Sequence, residues 1–325
     1  MADLIGDVRV LSELPGGSVE TNARLSREPG AQHAPHHADD RGADIRRLLI
    51  TCPDQPGIVA AVSNFIAGYG ANITESQQYS TDPFGGTFFL RLEFHVGSAW
   101  EHGARMPDGF AQLADRYAMR WTMTKASDLK RVAIMVSKAD HALQEVLSRA
   151  HWGELSADIR MVISNHPDTA EAAAWWGIPF HHVPVTPENS RAAEEAQLKL
   201  LADGIDLVIL ARYMRILSPR FLAEFGGPII NIHHSFLPAF VGADPYRQAA
   251  DHGVKLIGAT AHYVTAELDA GPIIEQDIVR VDHRCSVADL RRLGRHVERA
   301  VLARAVGWHL EDRVIVHQNK TIVFA

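Results

Sequence analysis

Cysteine is scarce in this 325-residue chain: only Cys52 and Cys285 occur, far apart and in no paired spacing. That excludes a zinc site built on cysteine pairs and fits a reducing compartment better than a disulfide-stapled secreted domain. Positive charge is short as well. Lysine and arginine number 32 against 39 acids, a net charge of -7, so the basic face needed to hold a nucleic-acid backbone is lacking. Aromatic residues are 7% of the chain and are not interleaved with lysine or arginine as a single-strand groove requires. No apolar run approaches the roughly 18 residues of a membrane span. Asp3 and Asp7 stand near the first residue in place of a basic-then-apolar stretch. No secretory signal is therefore read, and the cytoplasm is the expected compartment. There is no internal repeat. What is present is ordinary globular texture, with 46% hydrophobic residues and length enough for two domains with a core each.

Residues 1–44 mix proline, glycine, serine and acids without periodicity, which predicts a disordered extension. From Arg46 the texture changes. A strand over 47–52 leads through the turn Asp54-Gln55-Pro56-Gly57 into a helical pattern over 58–66. Strands over 71–80 and 86–95, a helix over 109–116 and a strand over 118–124 complete a βαββαβ unit, the ferredoxin-like order, spanning 46–126. After a polar link at 128–130, strands (131–136, 160–164, 180–183, 207–211, 228–232) alternate with helices (139–149, 167–176, 187–201). This alternation predicts an α/β, doubly wound, mainly parallel sheet over 131–325. Longer strands over 255–264 and 272–281, a helix over 286–309 and a terminal hairpin close the chain.

The apolar stretch Gly227-Pro228-Ile229-Ile230 delivers Asn231-Ile232-His233-His234 to the end of a buried strand. Residues two apart on a strand share a face, so Asn231 and His233 aim together beyond the strand's carboxyl end, where open α/β sheets bind ligands. An amide donates to a developing oxyanion without an ionisation cost, and an imidazole shares that duty or moves a proton near neutral pH. Asp269, in Leu268-Asp269-Ala270-Gly271-Pro272, supplies a carboxylate to orient His233 and take a proton, the more readily if burial raises its pKa. Such a group attacks a formyl or acyl carbon. Each member alone has a plainer reading: a strand-end amide, a satisfied core histidine, a turn acid.

The strand, the turn at 54–57, the helix and Gly70-Ala71-Asn72-Ile73 together resemble an ACT domain. That resemblance implies an amino-acid effector such as methionine or glycine at an interface between copies, near Asp54, Gln55, Pro56, Gly57, Asn72 and Ile73. It implies a homo-oligomer too. A packing module without ligand is the alternative reading.

Asn231-x-His233 followed by Ser235-Phe236-Leu237-Pro238, then His262-Tyr263-Val264 and Leu268 to Ile274, resembles the formyltransferase fold that handles 10-formyltetrahydrofolate. The resemblance implies that Asn231, His233 and Asp269 form the catalytic group. It assigns one folate loop to Arg212, Tyr213, Met214, Arg215, Ile216 and Leu217, and a second to Val264, Thr265, Ala266, Glu267 and Leu268. Glycinamide ribonucleotide formyltransferases carry a glycine-rich phosphate cradle where this chain has Ser137-Lys138-Ala139-Asp140-His141, without glycine and with an acid. The RNA-binding domain that ends the methionyl-tRNA formyltransferases has no counterpart here.

An ACT-like module ahead of this fold is similar to the formyltetrahydrofolate deformylases, over about residues 46–325. That implies hydrolysis of 10-formyltetrahydrofolate to formate and tetrahydrofolate, serving purine biosynthesis or one-carbon balance. Water replaces the amine acceptor, with the folate as substrate and neither metal nor further cofactor expected. Transfer of the formyl group to an unidentified amine is the alternative, and a sensor that kept the fold is a third.

Overall fold

A computed structural model of the chain describes residues 45–96, 106–238 and 245–325. The extension expected over 1–44 lies outside these. The first sheet is built from β1 (Ile45–Pro53), β2 (Asn72–Ser80), β3 (Thr87–His95) and β4 (Arg120–Lys125), with α1 (Ile58–Gly68) and α2 (Met106–Arg116) between them. Its order is β2-β3-β1-β4, all antiparallel. Alternation decides which face is covered. Leu48, Ile50 and Cys52 of β1 and Phe88, Leu90, Leu92 and Phe94 of β3 pack under Ile58, Val62 and Ile66 of α1. Gly57 precedes α1 with φ 95°, a conformation that glycine adopts at no steric cost.

The second sheet contains β5 (Lys130–Val136), β6 (Ala157–Ser164), β7 (Phe180–His182), β8 (Leu207–Leu210), β9 (Ile229–His233), β10 (Leu256–Tyr263) and β11 (Ile273–Arg280). Its order is β11-β10-β9-β8-β5-β6-β7. Strands β9 through β7 run parallel, while β10 and β11 are antiparallel additions at one edge. Helices α3 (His141–His151), α4 (Ala170–Trp175), α5 (Ser190–Leu201), α6 (Pro219–Phe225), α7 (Pro245–Asp251) and α8 (Val287–Leu310) surround it, and β12 (Val314–His317) with β13 (Lys320–Val323) forms a terminal hairpin. Both sheet faces are buried. Val132, Ile134 and Val136 meet α3 and α8, whereas Ala133 and Met135 meet Leu201 of α5 and Phe221 of α6. That two-sided burial explains why the parallel strands read as continuous apolar runs. No helix among the described residues is long and apolar enough to cross a membrane.

Several elements depart from the sequence reading. The helix expected over 167–176 divides into a 3₁₀ turn at Pro167–Thr169 and α4. The short helices α6 and α7 were not anticipated, although α6 has clear punctuation. Ser218 Oγ accepts from Phe221 N at its start, Pro219 follows, and Gly226 closes it with φ 66°.

The other face of the first sheet rests on the end of α8 and the terminal hairpin. Arg91, fully buried, donates to the carbonyls of Glu311 and Asp312 at 3.1 Å and pairs with Glu75 at 2.7 Å and Glu93 at 3.1 Å. Lys130 donates to the carbonyls of His309 and Leu310 and to Asp312 Oδ1. These cations meet the carbonyl end of a helix, where the dipole favours positive charge, and the carboxylates satisfy what burial would otherwise leave unpaired.

Candidate active site

β9 ends at His233, and its alternation turns Asn231 and His233 into one cleft of about 290 Å³. Across the ladder, His262 of β10 lies directly opposite Asn231. Asn231 Nδ2 is 3.2 Å from His262 Nε2, and His262 Nδ1 is 2.9 Å from the Tyr263 carbonyl oxygen. A carbonyl only accepts, so Nδ1 carries the hydrogen and Nε2 accepts from the Asn231 amide, which keeps a second N–H for the cleft. Asp269 closes the group: its Oδ2 is 3.4 Å from His233 Nδ1 and its Oδ1 is 3.7 Å from His262 Nε2. His233 Nε2 is buried and has no protein hydrogen-bond partner. Buried polar atoms are ordinarily paired, so this one is available to a bound molecule.

Asp269 has φ 54° and Arg212 has φ 64°. Left-handed backbone at a non-glycine residue is strained and concentrates at functional sites. The turn after Asp269 depends on Gly271, where an added Cβ would sit 1.8 Å from the Tyr263 carbonyl oxygen. Only glycine fits there, and the close approach brings the Asp269 turn against the end of β10.

Burial pushes the Asp269 carboxyl up, but its neighbours prevail. Hydrogen bonding to His233, with the His262 ring beside it, holds the carboxyl well below the usual range and outweighs desolvation. His234, lining the same cleft, is pushed down to about 4 by burial, with the Arg212 charge adding to it.

Both folate loops inferred by resemblance line this cleft, Arg212 to Leu217 on one side and Val264 to Leu268 on the other. Internal bonds fix the first. Met214 N donates to Ser137 Oγ at 2.9 Å, Ser137 Oγ donates to Asn165 Oδ1 at 2.7 Å, and Tyr213 Oη accepts from Gln197 Nε2 at 2.9 Å. The Ser137 hydroxyl is thus spent on the chain's own loop, at the position where a phosphate cradle would begin. Behind it, buried Glu298 of α8 takes His141 Nε2 at 2.8 Å, Tyr246 Oη at 2.6 Å and Arg212 Nε at 3.5 Å. Burial pushes the Glu298 carboxyl up, but His141 and Arg212 hold it below the usual range. Met214, Ile216 and Leu268 expose apolar side chains at the cleft mouth, as the binding of a flat, partly apolar ring requires.

The structure adds His262 and His234 to the residues singled out from the sequence. His262 was visible only within a motif. Its facing Asn231 follows from antiparallel pairing of β9 with β10, which residue spacing does not reveal. The residues inferred for an effector are elsewhere and are not gathered in one chain. Asp54 takes a hydrogen bond from Ser80 Oγ at the end of β2, whereas Asn72 and Ile73 begin that strand. Eight strand steps separate the two groups, roughly 26 Å.

An antiparallel βαββαβ sheet ahead of a doubly wound domain, with an Asn-His-His-Asp group at the strand ends, defines a formyltransferase-fold protein carrying an ACT domain. Family models agree: that described as "Formyl transferase" matches residues 130–306, and that described as "ACT domain" matches residues 46–97. A formyltetrahydrofolate deformylase of Bacillus subtilis (strain 168) is 55% identical over 286 residues, 88% of this chain and 95% of the relative. A crystal structure of a formyltetrahydrofolate deformylase from Pseudomonas syringae pv. tomato superposes with a TM-score of 0.82 at 50% identity, covering 86% of this chain and 94% of that one. A glycinamide ribonucleotide transformylase from Symbiobacterium toebii matches with a TM-score of 0.57 at 35% identity, over 61% of this chain and 95% of its own. The chain belongs to the formyltetrahydrofolate deformylase family.

Proposed function

We propose that this protein hydrolyses 10-formyltetrahydrofolate to formate and tetrahydrofolate. The observation that carries the reading is the Asp269 carboxylate between His233 and His262, with Asn231 beside them, on the wall of the cleft that both loops line. The free Asn231 N–H holds the formyl oxygen as it becomes an oxyanion, and His233 Nε2 donates to it when the ring carries a proton on each nitrogen, Nδ1 donating to Asp269. Water adds to the formyl carbon and gives its proton to Asp269. In the resting site a carboxylate held this low is a weak base. The oxyanion forming beside it raises its proton affinity, as a neighbouring like charge does. Return of the proton to N10 breaks the carbon–nitrogen bond, and formate leaves.

The group needs no metal or further cofactor for these steps. Water is the nucleophile because Ser137 and Glu298 are already engaged within the protein, leaving no cradle for a phosphorylated amine. The formate produced serves purine biosynthesis or one-carbon balance, in the cytoplasm. The ACT domain takes an amino acid such as methionine or glycine. With Asp54 to Gly57 and Asn72 at opposite ends of the sheet, such an effector bridges two copies, so the protein is a homo-oligomer. The test is turnover of 10-formyltetrahydrofolate by the full chain, with and without added amines. Equimolar formate and tetrahydrofolate at an amine-independent rate is expected; formate that appears only as a formylated amine would assign a transferase.

A further inference from the structure

The terminal hairpin touches the Asp269 turn at one end and the ACT sheet along its side. Asn319, in the β12–β13 turn, donates from Nδ2 to the Ala270 carbonyl oxygen at 3.0 Å, one residue beyond Asp269. Thr321 Oγ1 donates to the Ile273 carbonyl oxygen at 2.6 Å, on the far side of Gly271 and Pro272. Two bonds from one hairpin therefore bracket the segment that holds Asp269 in its left-handed conformation. That conformation is disfavoured for aspartate, so surrounding contacts must impose it.

The same hairpin is anchored to the first sheet. The His317 ring stands edge-on to the buried Phe89 of β3, with centroids 5.1 Å apart. Arg313, leading into β12, donates to Glu75 of β2 at 3.1 Å and to the Phe324 carbonyl at 3.0 Å, closing the hairpin's base. The residue before it, Asp312, accepts from Thr124 of β4 at 2.8 Å and from Lys130 at 2.6 Å. A second path starts from the same anchorage. His309, in the last turn of α8, hydrogen-bonds the Tyr263 hydroxyl at 2.8 Å, and the carbonyl of Tyr263 fixes His262 Nδ1. Both paths run from the ACT sheet through residues 309–325 and end on the two sides of the Asp269–His262 pair.

We infer that Asn319 and Thr321 are positioning residues for Asp269, and that the C-terminal segment 309–325 transmits the state of the ACT sheet to the reacting group. The inference rests on the assignment of Asp269 to the catalytic group. A small displacement of a reacting group costs far more in rate than in stability, because the geometry of attack is lost while the packing is kept. The ACT sheet thereby governs turnover without contributing an atom to the cleft.

The experiment uses the full chain with Asn319→Asp, which keeps the shape of the exposed residue and removes the donor. The expected result is a kcat lower by roughly ten- to a hundredfold, with KM for 10-formyltetrahydrofolate and the melting temperature close to wild type. His317→Ala, which frees the hairpin from Phe89, is expected to lower kcat as well. The double variant should be no worse than Asn319→Asp alone, since one lever is broken twice. ¹⁵N resonances of His233 and His262, read without turnover, should shift in both single variants. A wild-type kcat and unchanged imidazole resonances in Asn319→Asp would overturn the positioning role. Effects that multiply in the double variant would overturn transmission through the hairpin. Asp269→Asn separates the two levels. Its full activity would remove the catalytic assignment, whereas its inactivity beside a normal Asn319→Asp would remove only the positioning role.

Discussion

Asp269 gathers most of what is unusual at the residue scale: a left-handed backbone, two imidazole neighbours and a depressed pKa that opposes its burial. Asn231 carries the complementary duty, one N–H to His262 and the other to the cleft. Replacing Asn231 by alanine should lower kcat by roughly 10²–10³-fold, the usual loss for one oxyanion donor, with KM little changed. Steady-state kinetics on folded protein checks this, and a rise in KM with unchanged kcat would mean that Asn231 only binds. Asn231 and His233 were legible in the sequence because a period of two on a buried strand puts them on one face. His262 was not legible as a partner, because its position is set by antiparallel pairing with β9 rather than by spacing along the chain.

Among elements, the turn from Leu268 to Pro272 is the most constrained. A Cβ at Gly271 would overlap the Tyr263 carbonyl, and that carbonyl also fixes the His262 ring. Gly271→Ala should therefore cost roughly 1–3 kcal/mol of stability, in the range of an overpacked site. It should also lower kcat by a larger factor than that destabilisation explains; chemical denaturation beside kinetics separates the two. The sequence reading placed the strands and long helices within a few residues, since each has a clear period. It missed α6 and α7, whose two turns are too short for a period to show. The antiparallel β10 and β11 were recognised as strands, but their attachment to β9 is a tertiary fact. The loss of glycine at 137–141 was visible as an absent cradle. Its replacement by the Ser137 and Glu298 bonds joins residues from 28 to 157 positions apart and was not visible.

For the whole molecule, the central feature is that the ACT sheet rests on the last residues of the catalytic domain, where several buried charges collect. His309 is pushed down to about 4 by burial and then by the Lys130 charge, and His234 to about 4 by burial and then by Arg212. Both rings are neutral in the folded protein at neutral pH. The unfolded chain, with histidine near 6.5, binds more protons between about 4 and 6.5. Stability from these groups is thus complete above the unfolded value and is lost as pH falls through that window, by up to about 3 kcal/mol per ring. Carboxylates with depressed pKa values, Asp269 and Glu298 among them, lose their contribution only at lower pH. Urea midpoints at pH 7 and pH 5 should therefore fall with acidity, and less in a His234→Gln, His309→Gln double variant. Equal pH dependence in the two proteins would contradict the burial of neutral rings. The two-domain plan was legible from the change in periodicity at residues 128–130, but the contact between domains was not, because its arginines and carbonyls are far apart in sequence.

The central claim is that water, not an amine, attacks the formyl carbon in the cleft of Asn231, His233 and Asp269. The most direct measurement is single-turnover hydrolysis of 10-formyltetrahydrofolate in ¹⁸O-labelled water, with the formate read by mass spectrometry. The account predicts one solvent oxygen in every formate formed, at a rate unaffected by added amines and abolished by Asp269→Asn. Formate without solvent oxygen, or a formyl group recovered on an amine, would contradict it.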